Sequence, residues 1–323
     1  MPANLPPQYH EVEREYREAK IPSEKIELLK KMMAIMPKHK GTDKLQADLK
    51  SKISKLNKIS QQKPIKKEQE TLSHIDKEGA GQVILIGKPN TGKSQIISGL
   101  TKAISPATPY PFSTRKPIVG MMKFEDIKIQ LIDTPSITKS FMETWLPQLI
   151  KEADIVAIVV DLAQEDVLEQ VEEITGVLFS EGIRLKNEKT ETLQPKKCIL
   201  IGNKNDSPEA ETRFNVLNEL YGNDFISILS ISALQEIWGN LKEEIFYTLD
   251  VIRIYTKAPG KPFEKGDPFI MKKDASVYEV ATSVHKDFAN LEFARLWDEG
   301  NYSGQRVERN HILKDKDILE LHM

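Results

Sequence analysis

Gly87-Lys88-Pro89-Asn90-Thr91-Gly92-Lys93-Ser94 fits the pattern G-x-x-x-x-G-K-[ST]. It follows the apolar run Val83-Ile86 and leads into an amphipathic segment around 93–103. That order, strand then glycine-rich loop then helix, predicts a polyphosphate cradle. The two glycines let backbone N–H groups wrap the phosphates, and the helix N-terminus adds positive potential. Lys93 is predicted to reach the β- and γ-phosphates and Ser94 to ligate Mg²⁺. All eight residues, Gly87 to Ser94, are candidate nucleotide contacts.

Outward from this loop the chain alternates strand and helix signals. Strand candidates are Val83-Ile86, Met121-Phe124, Ile129-Ile132, Ile155-Val160, Ile199-Ile201 and Ile226-Leu229. Their near-continuous apolar runs suit a mainly parallel sheet covered on both faces. Only Glu125-Asp126 and its immediate neighbours separate two of them, so one antiparallel hairpin is expected there. Amphipathic segments around 141–152, 165–181, 209–221 and 238–249 supply the crossovers of a doubly wound α/β domain at 79–249. Residues 250–323 read as a small sheet of four or five strands with one helix at Ser276–Phe288. Residues 1–78 read as helical. Ser23 is a candidate helix cap after Ile21-Pro22, with Ile26, Leu29, Met33 and Met36 at helical spacing. Thr42 is a second candidate cap, followed by a stripe of Leu45, Leu49, Ile53, Leu56 and Ile59. The two stripes predict a helical hairpin, joined onward through a polar linker at Lys63–Glu70.

With 39% hydrophobic and 29% charged residues in 323, the chain has the composition of a globular protein with a substantial core. No apolar run approaches the ~18 residues of a membrane span. The N-terminus lacks the basic and apolar pattern of a secretory signal. The single cysteine, Cys198, lies in a buried-strand pattern and excludes an internal disulfide. A cytoplasmic setting is the expectation. Charge is uneven: Glu24–Lys67 holds 13 Lys and no Arg, a net +9, while the whole chain is -2. A basic segment is therefore attached to an acidic body.

Asn203-Lys204-Asn205-Asp206 follows the strand Ile199-Ile201, where ligands bind at strand C-termini. The Asp206 carboxylate can accept two N–H bonds from guanine. Adenine offers neither donor, so an unpaired carboxylate disfavours it. Asn203 and Lys204 complete this base-binding candidate. Ser232-Ala233, after Ile226-Leu229, is expected to offer a backbone N–H to the guanine O6. Asp133-Thr134-Pro135 ends the strand Ile129-Ile132, where an acid can hold Mg²⁺ through water. Between these lies Tyr110-Pro-Phe-Ser-Thr-Arg-Lys-Pro117. Thr114 is the candidate for closing over the γ-phosphate and Mg²⁺, with Ser113 its rival. Lys93, Thr114 and Asp133 are thus the predicted catalytic set.

With these motifs in place, residues 83–234 resemble the Obg-like GTPases: the loop at 87–94 and Tyr-Pro-Phe-Ser-Thr at 110–114 are similar to that group's phosphate loop and first switch. The C-terminal unit resembles a TGS domain, a small ubiquitin-like β-grasp module, at Ile252–Lys257, Val284–Phe288, Ala294–Trp297, Gly304–Val307 and His311–Leu321. A lysine-rich helical start, a P-loop GTPase domain and a terminal TGS domain together look like the developmentally regulated GTP-binding proteins. The resemblance implies Mg²⁺-dependent GTP hydrolysis and contact with the ribosome or an RNA-bound partner through the basic helices and the TGS domain. It also implies K⁺ at Asn90, where the cation substitutes for an arginine finger; by itself Asn90 is equally a turn residue. Three departures stand out. Ser136 replaces the Gly expected after Asp-Thr-Pro. Ile137 stands where many signalling GTPases carry a water-orienting Gln; Obg-like proteins are similar to this chain in carrying a hydrophobic residue there. The interval Asp133–Asn203 is too short for the family's inserted domain. Slow hydrolysis is expected, and the alternative is a nucleotide-gated binding module with negligible turnover.

Overall fold

A computed structural model describes residues 6–18, 22–36, 42, 45–55, 72–101, 116–185, 195–298 and 301–322. The chain divides into two compact units, Met1–Leu72 and Ser73–Met323.

In the first unit α1 (Pro7–Glu18), α2 (Pro22–Ile35) and α3 (residues 45–55) share one apolar cluster. Tyr9, Leu29, Met32, Met36 and Leu49 form its centre, with Leu45 and Ile53 packed against it. The expected hairpin of α2 and α3 is present, and α1 adds a third helix because Tyr9 lies on its buried side. Ser23, the expected cap, falls within the first turn of α2. Helix α2 already begins at Pro22, and a proline fits the first helical position because its missing N–H is unused there. Thr42 lies just ahead of α3, and its carbonyl accepts the Gln46 N–H at 2.9 Å. Leu56, Ile59 and the Lys63–Glu70 linker lie outside the described residues.

The second unit holds two sheets. The first has the order β2-β3-β1-β4-β5-β6. Its strands are β1 (Gln82–Ile86), β2 (Ile118–Phe124), β3 (Ile127–Asp133), β4 (Ile155–Asp161), β5 (Lys197–Asn203) and β6 (Ser227–Ser230). All pairings are parallel except β2–β3, the expected hairpin, whose turn is Glu125-Asp126. Every residue of β1 and β4 is buried, which accounts for their unbroken apolar sequence. Helices α4 (Lys93–Leu100), α5 (Leu146–Glu152), α6 (Val167–Ser180), α7 (Ala210–Tyr221) and α8 (Leu241–Leu249) complete the doubly wound domain. Residues 73–78 run with this unit: His74 Nδ1 meets Glu152 Oε2 at 2.7 Å, and Lys77 pairs with Asp154.

The second sheet has the order β10-β9-β11-β7-β8. It is built from β7 (Val251–Lys257), β8 (Phe269–Lys272), β9 (Phe293–Asp298), β10 (Asn301–Val307) and β11 (Ile318–His322). Its first and last strands are parallel neighbours at the centre, the β-grasp arrangement. One helix, α9 (Val277–Val284), covers one face through Val277, Val280 and Ala281. Ser276 and Glu279 form a reciprocal capping box at its start.

The two sheets meet at the tip of the β2–β3 hairpin. Arg253 on β7 is buried and donates from Nη1 to Glu125 at 2.5 Å and Asp126 at 3.3 Å. Its Nε and Nη2 reach both oxygens of Asp315, at 3.0 and 2.6 Å. The guanidinium also lies 4.8 Å from the Phe246 ring centre, and Tyr255 donates its hydroxyl to Asp126.

Candidate nucleotide-binding site

The site lies at the C-terminal ends of β1, β3, β5 and β6, where a doubly wound sheet leaves its strand ends open. After β1 the chain turns through Gly87, Asn90 (φ 65°) and Gly92 (φ 90°) before entering α4. Gly92 is required here. A Cβ would sit 2.2 Å from Asn203 Nδ2, on a backbone conformation that side chains rarely adopt. Asn90 is exposed in the left-handed conformation that asparagine tolerates, which suits the turn role weighed from sequence.

Lys93 is buried and folds back along the loop. Its ammonium donates to Gly87 O at 3.0 Å and Lys88 O at 2.9 Å, with Ser136 Oγ at 3.4 Å. Burial lowers its pKa to about 8, against the opposing charge of Asp133. Ser94 Oγ donates to Asp133 Oδ2 at 2.6 Å. Asp133 is buried, and desolvation raises its pKa although Ser94 and Lys93 pull the other way. Its Oδ1 is buried without a hydrogen-bond partner. A hydroxyl and a half-satisfied carboxylate on adjoining elements are hard oxygen donors, so these residues fit Mg²⁺.

Asn203 at the end of β5 joins two loops. Its Nδ2 donates to Thr91 O at 2.9 Å, and its Oδ1 accepts the Ala233 N–H at 3.0 Å. Asp206 is exposed, and one of its oxygens accepts from Ser232 Oγ. Lys204 (φ 66°) pairs with Asp161 at the end of β4. The structure thus brings Gly87–Ser94, Asp133, Asn203, Asp206, Ser232 and Ala233 together. Thr114 and Ser113 lie outside the described residues.

Two of the candidate contacts are engaged within the protein itself. The Ser232-Ala233 pair, expected to offer a backbone N–H to the guanine O6, has both amides bonded within the protein: Ser232 N donates to Ile237 O at 3.0 Å and Ala233 N to Asn203 Oδ1 at 3.0 Å. A base must share or displace the Asn203 contact to use the latter. The Lys88 side chain turns away from the loop. It pairs with Glu173 at 3.1 Å and Asp166 at 3.3 Å around α6. Burial opposes its charge, yet these carboxylates hold its pKa above the ordinary value. Its backbone remains part of the loop, and its carbonyl anchors Lys93 and Thr91.

Sequence reading missed Glu173, which also accepts the Lys139 N–H at 2.6 Å and so ties the segment after Asp133 to the phosphate loop. No local pattern marks a carboxylate on α6 for that role. Ile137 is fully buried, and its N–H donates to Gly87 O at 3.1 Å. Its side chain therefore packs inward, away from solvent. Among the described residues no helix is long and apolar enough to cross a membrane.

Comparison with known proteins agrees with this geometry. Residues 82–204 match the family described as 50S ribosome-binding GTPase, and residues 252–323 match the TGS domain. An uncharacterized GTP-binding protein of Methanocaldococcus jannaschii is 25% identical, with 92% of each chain covered. Developmentally-regulated GTP-binding protein 2 of Mus musculus is 26% identical, covering 92% of this chain and 98% of its own. The crystal structure of SsGBP with GDP is 18% identical, covers 70% of this chain and 66% of that one, and has a TM-score of 0.41.

The fold and the matched segments define a P-loop GTPase domain joined to a TGS domain. Along most of its length the chain is similar to GTP-binding proteins of this layout, the developmentally regulated GTP-binding proteins among them. Proteins of this class bind GTP and generally use Mg²⁺.

Proposed function

We propose that this chain binds GTP, hydrolyses it slowly in the cytoplasm, and switches its association with the ribosome or an RNA-bound partner according to the nucleotide held. Residues 1–78, 79–249 and 250–323 are taken as the lysine-rich helical region, the GTPase domain and the TGS domain. The reading is carried by the convergence of Lys93, Ser94, Asp133 and Asp206 at one end of the first sheet. Lys93 and the loop N–H groups neutralise phosphate charge, Ser94 and Thr114 hold Mg²⁺, and Asp133 holds it through water. The bound Mg²⁺ neutralises charge developing on the transferred phosphoryl group. Asp206 reads guanine, with Asn203 and Lys204 supporting the base. Slowness follows from Ile137: a fully buried apolar side chain orients no water. K⁺ at Asn90 is the proposed supplement to that deficit.

The second reading, a nucleotide-gated module with negligible hydrolysis, is favoured by Ser136. Its hydroxyl lies 3.4 Å from Lys93 Nζ, and its backbone range is narrower than that of the glycine usual there. Multiple-turnover assays on purified protein separate the two: phosphate release beyond one equivalent supports the enzyme, and none supports the module. The partner is tested by ribosome pull-down with GDP and with a non-hydrolysable GTP analogue at two salt concentrations. Association should depend on the nucleotide and weaken steeply with salt. Equal recovery under all four conditions would refute the switch.

A further inference from the structure

Helix α6 presents Asp166 at its N-cap, Gln170 and Glu173 on one face, at i, i+4 and i+7. Gln170 is buried with both ends of its amide engaged. Its Oε1 accepts the Asp161 N–H at 3.0 Å and its Nε2 donates to Asp166 Oδ1 at 2.7 Å. The helix is thereby tied to the end of β4, where Asp161 pairs with Lys204. Glu173 stands one turn farther along on this fixed base. Its Oε1 accepts the Lys139 N–H at 2.6 Å, and its Oε2 lies 3.1 Å from Lys88 Nζ. One carboxylate thus joins the phosphate loop to the segment that follows Asp133.

That segment also touches the loop elsewhere. The Ile137 N–H donates to Gly87 O at 3.1 Å, and Ser136 Oγ lies 3.4 Å from Lys93 Nζ. Thr138 and Phe141 exchange backbone bonds at 2.9 and 3.1 Å, closing a turn that carries Lys139. Lys139 is exposed, so water can satisfy its amide without a carboxylate. Lys88 can likewise extend into solvent. Neither group needs Glu173 for its own sake; what Glu173 adds is the link between them. Burial opposes ionisation of Glu173, yet the Lys139 N–H and Lys88 outweigh it and hold its pKa below the ordinary 4.5. GTP differs from GDP by its γ-phosphate. A third phosphate beside Lys93 arrives next to Ser136 and meets this segment, whereas a diphosphate stops short of it. A segment already held against the loop contributes its contacts without the cost of ordering it.

We infer that Glu173 is a positioning residue for the γ-phosphate: through Lys88 and the Lys139 N–H it holds residues 136–139 against the phosphate loop and so favours GTP over GDP, a role that rests on the GTP binding proposed above. Glu173 itself touches no nucleotide. It acts on the segment that does, and Lys88 acts through it.

The test uses the full chain with Mg²⁺, titrated separately with fluorescently labelled GDP and with the labelled β,γ-imido analogue of GTP. Glu173→Ala should weaken the GTP analogue roughly tenfold, the loss expected for one hydrogen bond to a charged group, and GDP by less than about twofold. Glu173→Gln keeps an acceptor for Lys139 but not the charge for Lys88, so it should recover part of that loss. Lys88→Met should weaken the analogue by about threefold, as an exposed to half-buried ion pair does. In the double variant of Lys88→Met with Glu173→Ala the two losses should not add, because one residue acts through the other. Thermal melting confirms that each variant folds, and Glu173→Gln carries the comparison if Glu173→Ala melts early. Equal weakening of both nucleotides would make Glu173 a general support of the fold and overturn the proposal. So would unchanged affinity for the analogue, or additive losses in the double variant. If the wild-type chain binds neither nucleotide, the GTP-binding reading falls and this role falls with it.

Discussion

Arg253→Met should unfasten the two sheets of the second unit, at a cost of about 2–3 kcal/mol in stability. Methionine preserves most of the length and apolar contact of the arginine, so the loss is mainly that of the guanidinium. Removing one member of a fully buried charge pair costs ~3–5 kcal/mol, because the partner is left unpaired. Here the arginine side chain is only 3% exposed, but its carboxylates retain water: 32% for Asp315, 48% for Glu125 and 20% for Asp126. They can rehydrate once released, which brings the expectation below that range. Double-mutant cycles divide it further. The two-bond contact with Asp315 should couple by roughly 1.5 kcal/mol, as charge-assisted pairs do. The half-exposed Glu125 should couple by about 0.5 kcal/mol. Urea unfolding followed by Trp fluorescence measures both, since Trp297 lies in the TGS domain and Trp145 and Trp238 in the GTPase domain. Arg253→Met within ~0.5 kcal/mol of wild type would refute the view that this joint fastens the domains. So would equal coupling to Glu125 and Asp315.

The same joint carries an acid dependence. The Arg253 hydrogen bond holds Glu125 below its ordinary value of 4.5. Burial opposes ionisation of Asp126, but Tyr255 and Lys265 outweigh it and hold Asp126 below 3.8. The unfolded chain therefore takes up these protons first. The stabilisation is complete above the ordinary values and is lost as pH falls through the depressed folded ones. Arg253→Met should flatten that acid limb in unfolding measured from pH 6 downward.

Asp206→Asn should loosen guanine and admit xanthine, measured by competition between GTP and XTP; unchanged preference for GTP would remove Asp206 from base reading. Lys93→Ala should abolish tight nucleotide binding, and unaltered affinity would overturn the assignment of the loop. With the pKa of Lys93 lowered to about 8, phosphate binding should draw a proton onto it above that pH. Affinity should then decline from pH 7 to 9.5, with proton uptake visible in calorimetry across buffers, and a flat profile would count against Lys93 as the phosphate cation. Folding of the nucleotide-free chain should respond in the opposite sense, gaining stability from about pH 8 upward, because the unfolded lysine keeps its proton longer. GTP hydrolysis should be faster in K⁺ than in Na⁺ buffer, and equal rates would remove the cation at Asn90.

Much of the GTPase fold was legible because its signals are local. Val83-Ile86, Gly87–Ser94 and the start of α4 form one continuous stretch, and periods of two and 3.6 residues report burial within each element. The contacts that organise the site are not local. Asn203 reaches Thr91 and Ala233, 112 and 30 positions away, and its amide gives no sign that it joins loops instead of facing a base. Lys88 was a candidate contact only as a residue of the loop; the direction of its side chain is set by Asp166 and Glu173, carboxylates that only the packing of α6 brings near. Ile137 was legible as a residue type, but its burial became evident only once its amide was seen held by Gly87.

The hairpin at Glu125-Asp126 shows most clearly what a linear reading leaves out. Its turn was expected from two apolar runs lying close together, and its charges read as ordinary turn residues. In the folded chain those charges grip Arg253, 127 and 128 positions away. Strand β3 then runs from this grip to Asp133, beside Lys93 and Ser94. The phosphate end of the site and the fastening of the TGS domain are thus opposite ends of a single strand, seven residues long and paired on both sides.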